Sequence, residues 1–145
     1  MLLNMEESMK EYIGIKRIKA EPEQREGVDG YKVVYEDGYE SWSPKEVFEK
    51  AYHESGKMSF SEALYALKRG AKIARSGWNG KGMFLTLQQK SEVDGSLMRN
   101  ENAKNFYGDG KVKICPHIDM KAADGSYVVG WLASHMLSDD WCIVE

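Results

Sequence analysis

Residues 76–85 read Ser-Gly-Trp-Asn-Gly-Lys-Gly-Met-Phe-Leu, placing a tryptophan and an asparagine among glycines directly before an apolar run. Gly77, Gly80 and Gly82 tolerate positive φ and let another group approach the main chain closely. Trp78 offers a broad apolar face with one N–H donor. Asn79 offers an amide that both donates and accepts. This set suits a flat, polar-edged ligand such as a nucleobase, and it contains no nucleophile or general base. Glycine and asparagine are also the default turn residues, so the segment taken alone favours a tight hairpin turn whose tryptophan folds back onto the core.

Working outward, strand A-K-I-A-R at 71–75 precedes the turn and strand M-F-L-T-L at 83–87 follows it. Upstream, Ser59 and Glu62, or Ser61 alone, cap a helix running through Leu64, Tyr65 and Leu67; Lys68 and Arg69 suit its end and Gly70 its C′ position. Downstream, residues 88–110 are polar with little periodicity and read as a long mobile loop. Strand V-K-I-C at 112–115 is expected to extend through His117 to Met120 past Pro116. Asp124-Gly125 marks a hairpin, strand S-Y-V-V-G-W-L covers 126–132, residues 133–140 read as a short helix or turn, and W-C-I-V at 141–144 closes the chain. Short hairpins with one leading helix predict an α+β domain built on a mostly antiparallel sheet.

The preceding residues form a smaller unit. Residues 1–10 read as frayed or weakly helical. Tyr12 to Ile18 mark a strand, 20–30 a polar loop, and Tyr31–Tyr35 and Tyr39–Trp42 a hairpin around Glu36-Asp37-Gly38. Ser43 as cap, Pro44 at the first helical position and Glu46 closing a capping box start a helix that presents Val47, Phe48, Ala51 and Tyr52. The expected division is a β-hairpin-plus-helix module at 1–56 and a main domain at 57–145. A module that small is marginal alone.

A chain of 145 residues, 42% hydrophobic and 30% charged, is ordinary for a globular protein. A net charge of −3 with no Lys/Arg run argues against a polymeric nucleic acid partner, leaving room only for a local basic pocket. Cys115 and Cys142 lack metal spacing and read as buried free thiols of a reducing compartment. An early acidic N-terminus and the lack of a long apolar run point to a soluble, intracellular protein with no membrane partner.

Signals for catalysis are sparse. His117-x-Asp119 lacks a third metal ligand. Asp139-Asp140 reads as a solvated turn or cap, and Ser134 beside His135 is no triad. Neither a metal nor a cofactor is expected. Signals for binding are richer. Trp78 and Trp131 sit at loop edges, where ligand stacking and core packing are both open, whereas Trp141 in its terminal strand reads as core. Met83, Phe84 and Met136 add soft apolar contact. Arg75, Lys81 and Lys121 suit a phosphate, and Asn79 and Ser134 suit polar edges. Stacking plus a few placed polar groups is how nucleotides are usually held.

The stretches M-S-F-S-E-A-L-Y-A-L-K-R-G-A-K-I-A-R-S-G-W-N-G-K-G-M-F-L, P-H-I-D-M-K-A-A-D-G-S-Y-V-V-G-W-L-A-S and M-L-S-D-D-W, within 57–145, resemble the second type of phage Thoeris anti-defence proteins. D-G-Y-E-S-W-S-P-K-E-V-F-E-K-A-Y resembles a module found ahead of this domain in some phage proteins. The resemblance implies a non-enzymatic sponge in the cytoplasm of the infected bacterial host. It would sequester a cyclic nucleotide immune signal, glycocyclic ADP-ribose of Thoeris or a cyclic dinucleotide of CBASS, without cleaving it. It also implies a homotetramer with pockets between protomers, and ligand contacts from Trp78, Asn79, Met83, Phe84, Trp131, Ala133, Ser134 and Met136; Arg75 would meet the pyrophosphate. Family members often carry more residues between the Ala-Ser and Met-Leu pairs, where this chain has only His135. Two other classes compete: a phosphodiesterase using His117 with Asp119, and an adaptor that blocks a host protein through exposed aromatics.

Overall fold

The computed structural model describes residues 8–78, 82–131 and 139–144. Two compact units divide between His53 and Glu54. The expectations for residues 1–7 and for most of 133–140 lie outside the described residues.

In the first unit, strands β1 (Ile18–Pro22), β2 (Gly30–Tyr35) and β3 (Glu40–Pro44) form an antiparallel sheet in that order, followed by helix α1 (Lys45–Ala51). The first strand is displaced from the expected position. Residues 9–17 form no strand, with Tyr12 and Ile13 exposed, and pairing begins at Ile18↔Tyr35 and runs to Pro22↔Tyr31. Apolar content misled here because β1 is an edge strand. Lysine, glutamate and proline are tolerated at an exposed edge and discourage further pairing. The supposed polar loop therefore begins as strand, at residues 20–22, and continues as a tight bridged turn. It closes through Glu26 and Gly27, both at positive φ, between two reciprocal Arg25–Val28 backbone hydrogen bonds. This is the two-residue turn whose twist matches that of a hairpin.

The second turn falls where Asp-Gly announced it: Gly38 N–H donates to Tyr35 O, and Asp37 Oδ1 accepts from Tyr39 N–H. The start of α1 differs from expectation. Ser43 pairs with Tyr31 in the ladder, so Pro44 takes the N-cap position and no side chain caps the helix. Gly30 passes directly beneath the Trp42 ring, where a Cβ would clash, and Trp42 Nε1 donates to Glu23 O at 2.8 Å.

In the second unit, helix α2 (Phe60–Lys68) starts with a complete Ser59/Glu62 capping box, and Gly70 follows its end at φ +97°. An antiparallel sheet of five strands runs in the order β10 (Trp141–Val144), β4 (Lys72–Arg75), β5 (Phe84–Gln88), β8 (His117–Lys121), β9 (Tyr127–Val128). Helix α2 packs on β10, β4 and β5. The core between them comprises Ala63, Leu67, Ile73, Leu85, Trp131 and Trp141, all buried. More strand than helix, antiparallel throughout, makes this an α+β fold.

Four details depart from the sequence reading. Residues 88–110 are not structureless: they contain β6 (Ser91–Asp94), a 3₁₀ turn at Gly95–Leu97 and helix α3 (Glu101–Tyr107), and β6 pairs with β7 (Lys111–Ile114). These elements have little apolar periodicity because local caps define them; Asn100 Oδ1 accepts from Asn102 and Ala103 N–H, and Asp94 Oδ1 from Ser96 N–H. The strand expected to run through Pro116 is two strands in different sheets, the break falling at Cys115-Pro116. The strand expected over 126–132 pairs only at Tyr127 and Val128, because Gly130 at φ +71° turns the chain out of the ladder. Cys115 is exposed and Cys142 half-buried, where both were expected to be buried, and both thiols are free.

Leu67 is fully buried at the centre of the α2–sheet contact. Leu67→Ala should lower unfolding free energy by about 3 kcal/mol, and Ser59→Ala by about 1 kcal/mol, both read from urea unfolding midpoints.

Candidate functional site

Three tryptophans converge in the second unit. Trp141 is wholly buried, and Trp78, Trp131 and Phe60 meet it edge-on or tilted, at centroid distances of 5.6, 6.0 and 5.2 Å. Edge-to-face packing aligns the positive rim of one ring with the negative face of the next. Trp78 remains half-buried, while Trp131 is 8% exposed. The two candidate stacking residues thus share one anchor, which sequence reading assigned to the core alone.

The Gly-Trp loop is held by its backbone. Ser76–Trp78 form one 3₁₀ turn, and Asp140 clamps it from the start of β10. Gly77 N–H donates to Asp140 Oδ2 at 2.9 Å, and Ser76 N–H donates to Asp140 O at 3.0 Å. Arg75 grips the same carboxylate, Nε to Oδ1 at 2.7 Å and Nη2 to Oδ2 at 3.3 Å. The Arg75 hydrogen bond holds the Asp140 carboxyl below the ordinary carboxylate range against the opposing effect of burial, with the Gly77 N–H and the Arg75 charge adding smaller contributions. Asp140, read from sequence as a solvated turn or cap, is an anchor of the loop. Arg75, read as a phosphate ligand, has its guanidinium turned to Asp140. The clue was available in part: Asp140 directly precedes Trp141, and Trp141 pairs with Arg75 across the β10–β4 ladder.

The other candidates are distributed. Met83 is half-buried just before β5. Phe84 alternates with the core residue Leu85 and so lies on the opposite sheet face, where Lys72 Nζ sits 4.8 Å from its ring centroid. Lys121 donates to Gly82 O at 3.1 Å. Asn79, Ala133, Ser134 and Met136, with Lys81 and His135, lie outside the described residues. Also on the face opposite the core, His117 Nε2 lies 3.4 Å from Asp119 Oδ1, while His117 Nδ1–H donates to Cys115 O at 2.8 Å. Among the described residues no group of three His, Cys, Asp or Glu side chains could hold a metal ion.

The second unit is thus a small antiparallel α+β domain in which two tryptophans, each following a glycine, pack against a buried third. Residues 58–144 match the family described as Thoeris anti-defense 2-like domain. A curated relative, "Thoeris anti-defense 2" of Bacillus phage SP01, is 39% identical over 96 residues, covering 61% of this chain and 97% of the relative. The chain belongs to the Thoeris anti-defense 2 family. The first unit precedes the matched residues.

Gly77 admits no side chain, since a Cβ would stand 2.8 Å from Asp140 Oδ2 and 3.4 Å from Arg75 Nη2. Gly77→Ala should cost about 1–3 kcal/mol of stability by forcing the clamp apart. The lowered Asp140 carboxyl contributes stability that is complete above its unfolded-state value and is lost as pH falls through the folded one. Asp140→Asn should therefore narrow the stability difference between neutral pH and the acid range, measured as urea midpoints across pH for both proteins.

Proposed function

We propose that this protein is a phage anti-defence sponge: it binds the cyclic nucleotide signal of Thoeris immunity and holds it intact. The observation that carries this reading is the match of residues 58–144 to the anti-defense family, over the segment that contains Trp78, Trp131 and their shared anchor Trp141. Stacking on an aromatic face contributes about 1–3 kcal/mol per base, and a nanomolar site needs roughly −12 kcal/mol in total. A Trp78 ring fixed in advance on the packed core of Trp131 and Trp141 lowers the ordering cost of reaching that value.

A non-catalytic role is supported by what the nearby carboxylates do. Asp140 is taken up by Arg75 and two loop N–H groups, counting the one its carbonyl accepts. Asp119 accepts a backbone N–H and faces His117. Groups committed to holding backbone are poorly placed to shuttle protons. The proposed ligand is a glycocyclic ADP-ribose, with cyclic dinucleotides of CBASS as the second class. By family resemblance the protein would act as a homotetramer in the cytoplasm of the infected bacterium.

Calorimetric titration with both ligand classes, then heat denaturation and chromatography of the released ligand, tests the proposal. Tight binding with unmodified ligand recovered is expected; a cleaved product would instead identify a phosphodiesterase. Trp78→Ala should weaken binding roughly ten- to hundredfold, measured well below its melting temperature because the variant also loses the contact with Trp141.

A further inference from the structure

The dipeptide Gly-Trp occurs twice in the second unit, at Gly77-Trp78 and at Gly130-Trp131. In both, the glycine N–H donates to an aspartate that is distant in sequence. Gly77 N–H meets Asp140 Oδ2 at 2.9 Å, and Gly130 N–H meets Asp119 Oδ1 at 3.1 Å. Both tryptophans then abut Trp141. We propose that Asp140 and Asp119 are positioning residues for ligand binding, each setting the ring that follows its glycine; the proposal rests on the reading of Trp78 as the stacking face, with the buried Trp131 as part of its packed support.

The Asp119 latch is the more telling of the two. Asp119 is 3% exposed, the one buried polar or charged residue among those described. A carboxylate taken from water is strongly unfavourable unless hydrogen bonds replace its hydration. It lies on the sheet face opposite Ile118 and Met120, both of which pack against the core, so it contributes no packing there. Its partners are the Gly130 N–H and His117 Nε2. His117 is itself held by the Cys115 carbonyl, which fixes the ring beside the carboxylate.

Just past the latch, Trp131 N–H donates to Ile118 O at 2.6 Å. The backbone on both sides of the Gly130–Trp131 peptide is therefore tied to consecutive residues of β8. Gly130 stands at φ +71°, a conformation that other residues adopt only with strain. Together these bonds fix where the Trp131 side chain leaves the backbone. Asp140 acts alike on Trp78, with Arg75 in the place of His117.

The test uses the full-length chain, with ¹⁵N-labelled indole signals assigned by single Trp→Phe replacements and affinity for glycocyclic ADP-ribose measured by calorimetry. Asp119→Ala should move or broaden the Trp131 indole signal and weaken binding by about tenfold or more. Asp119→Asn keeps an oxygen that accepts from Gly130, so it should restore most of both and guards against an alanine variant that does not fold. Asp140→Asn and Asp140→Ala should act on the Trp78 signal in the same order. A loss of melting temperature with the signals in place and affinity unchanged would overturn the proposal, as would a moved Trp131 signal with wild-type affinity. If the wild-type protein binds neither glycocyclic ADP-ribose nor a cyclic dinucleotide, the sponge reading fails by itself; positioning is then overturned if the indole signals of the aspartate variants coincide with those of wild type, and upheld if they move as stated.

Discussion

Packing around Trp141 is the constraint on which the second unit depends. Its indole is wholly enclosed, and the chain reaches it from several directions: Phe60 at the start of α2, Trp78 after β4, Trp131 after β9, and the Met58 backbone, which bridges to Trp141 beside the sheet. Burial of aromatic area supplies the stabilisation, and edge-to-face geometry supplies the directionality that a purely aliphatic core lacks. Trp141 Nε1 is buried with no hydrogen-bond partner among the described residues. An unmade bond of that kind costs stability, so the cluster must offset it through contact area.

The polar groups around this cluster serve geometry more than stability. A carboxylate accepting a main-chain N–H locks a loop where a side-chain contact would only bias it. Arg75 grips Asp140 at partial burial, and His117 stands beside Asp119. Ion pairs as exposed as that of Arg75 with Asp140 contribute little net free energy. The value of the two carboxylates lies in the defined angles they impose on Gly77 and Gly130. In the proposed sponge such rigidity would favour affinity, because ordering the site after the ligand arrives would subtract from it.

The first unit is built on different chemistry. Among its described residues Val33 is the one deeply buried apolar side chain, and half-buried aromatics do the rest: Tyr31 stacks on Phe48 at 4.2 Å, Phe48 tilts against Tyr52 at 5.1 Å, and Arg25 lies over the Trp42 ring. Tyr52 has its phenol raised, by burial first and by Tyr35 second. Such a unit is mostly edge and surface, which explains why apolar periodicity located its central strand and helix but missed its first strand.

Local chemistry in the chain was sufficient for the Ser59/Glu62 capping box, the Asp37-Gly38 turn, β4, β5 and β10, because caps, turns and short apolar runs are decided within a few residues. It was also sufficient for family membership. It could not show that both tryptophans share Trp141 as anchor, that Arg75 belongs to Asp140, or that Asp119 is buried. Those facts depend on strand order: β10 lies beside β4, and β8 beside β5, so residues 65 and 63 positions apart meet at Arg75–Asp140 and Gly77–Asp140. Pairings of that range are selected by the burial of a whole sheet face, a property of the folded chain that no local pattern encodes.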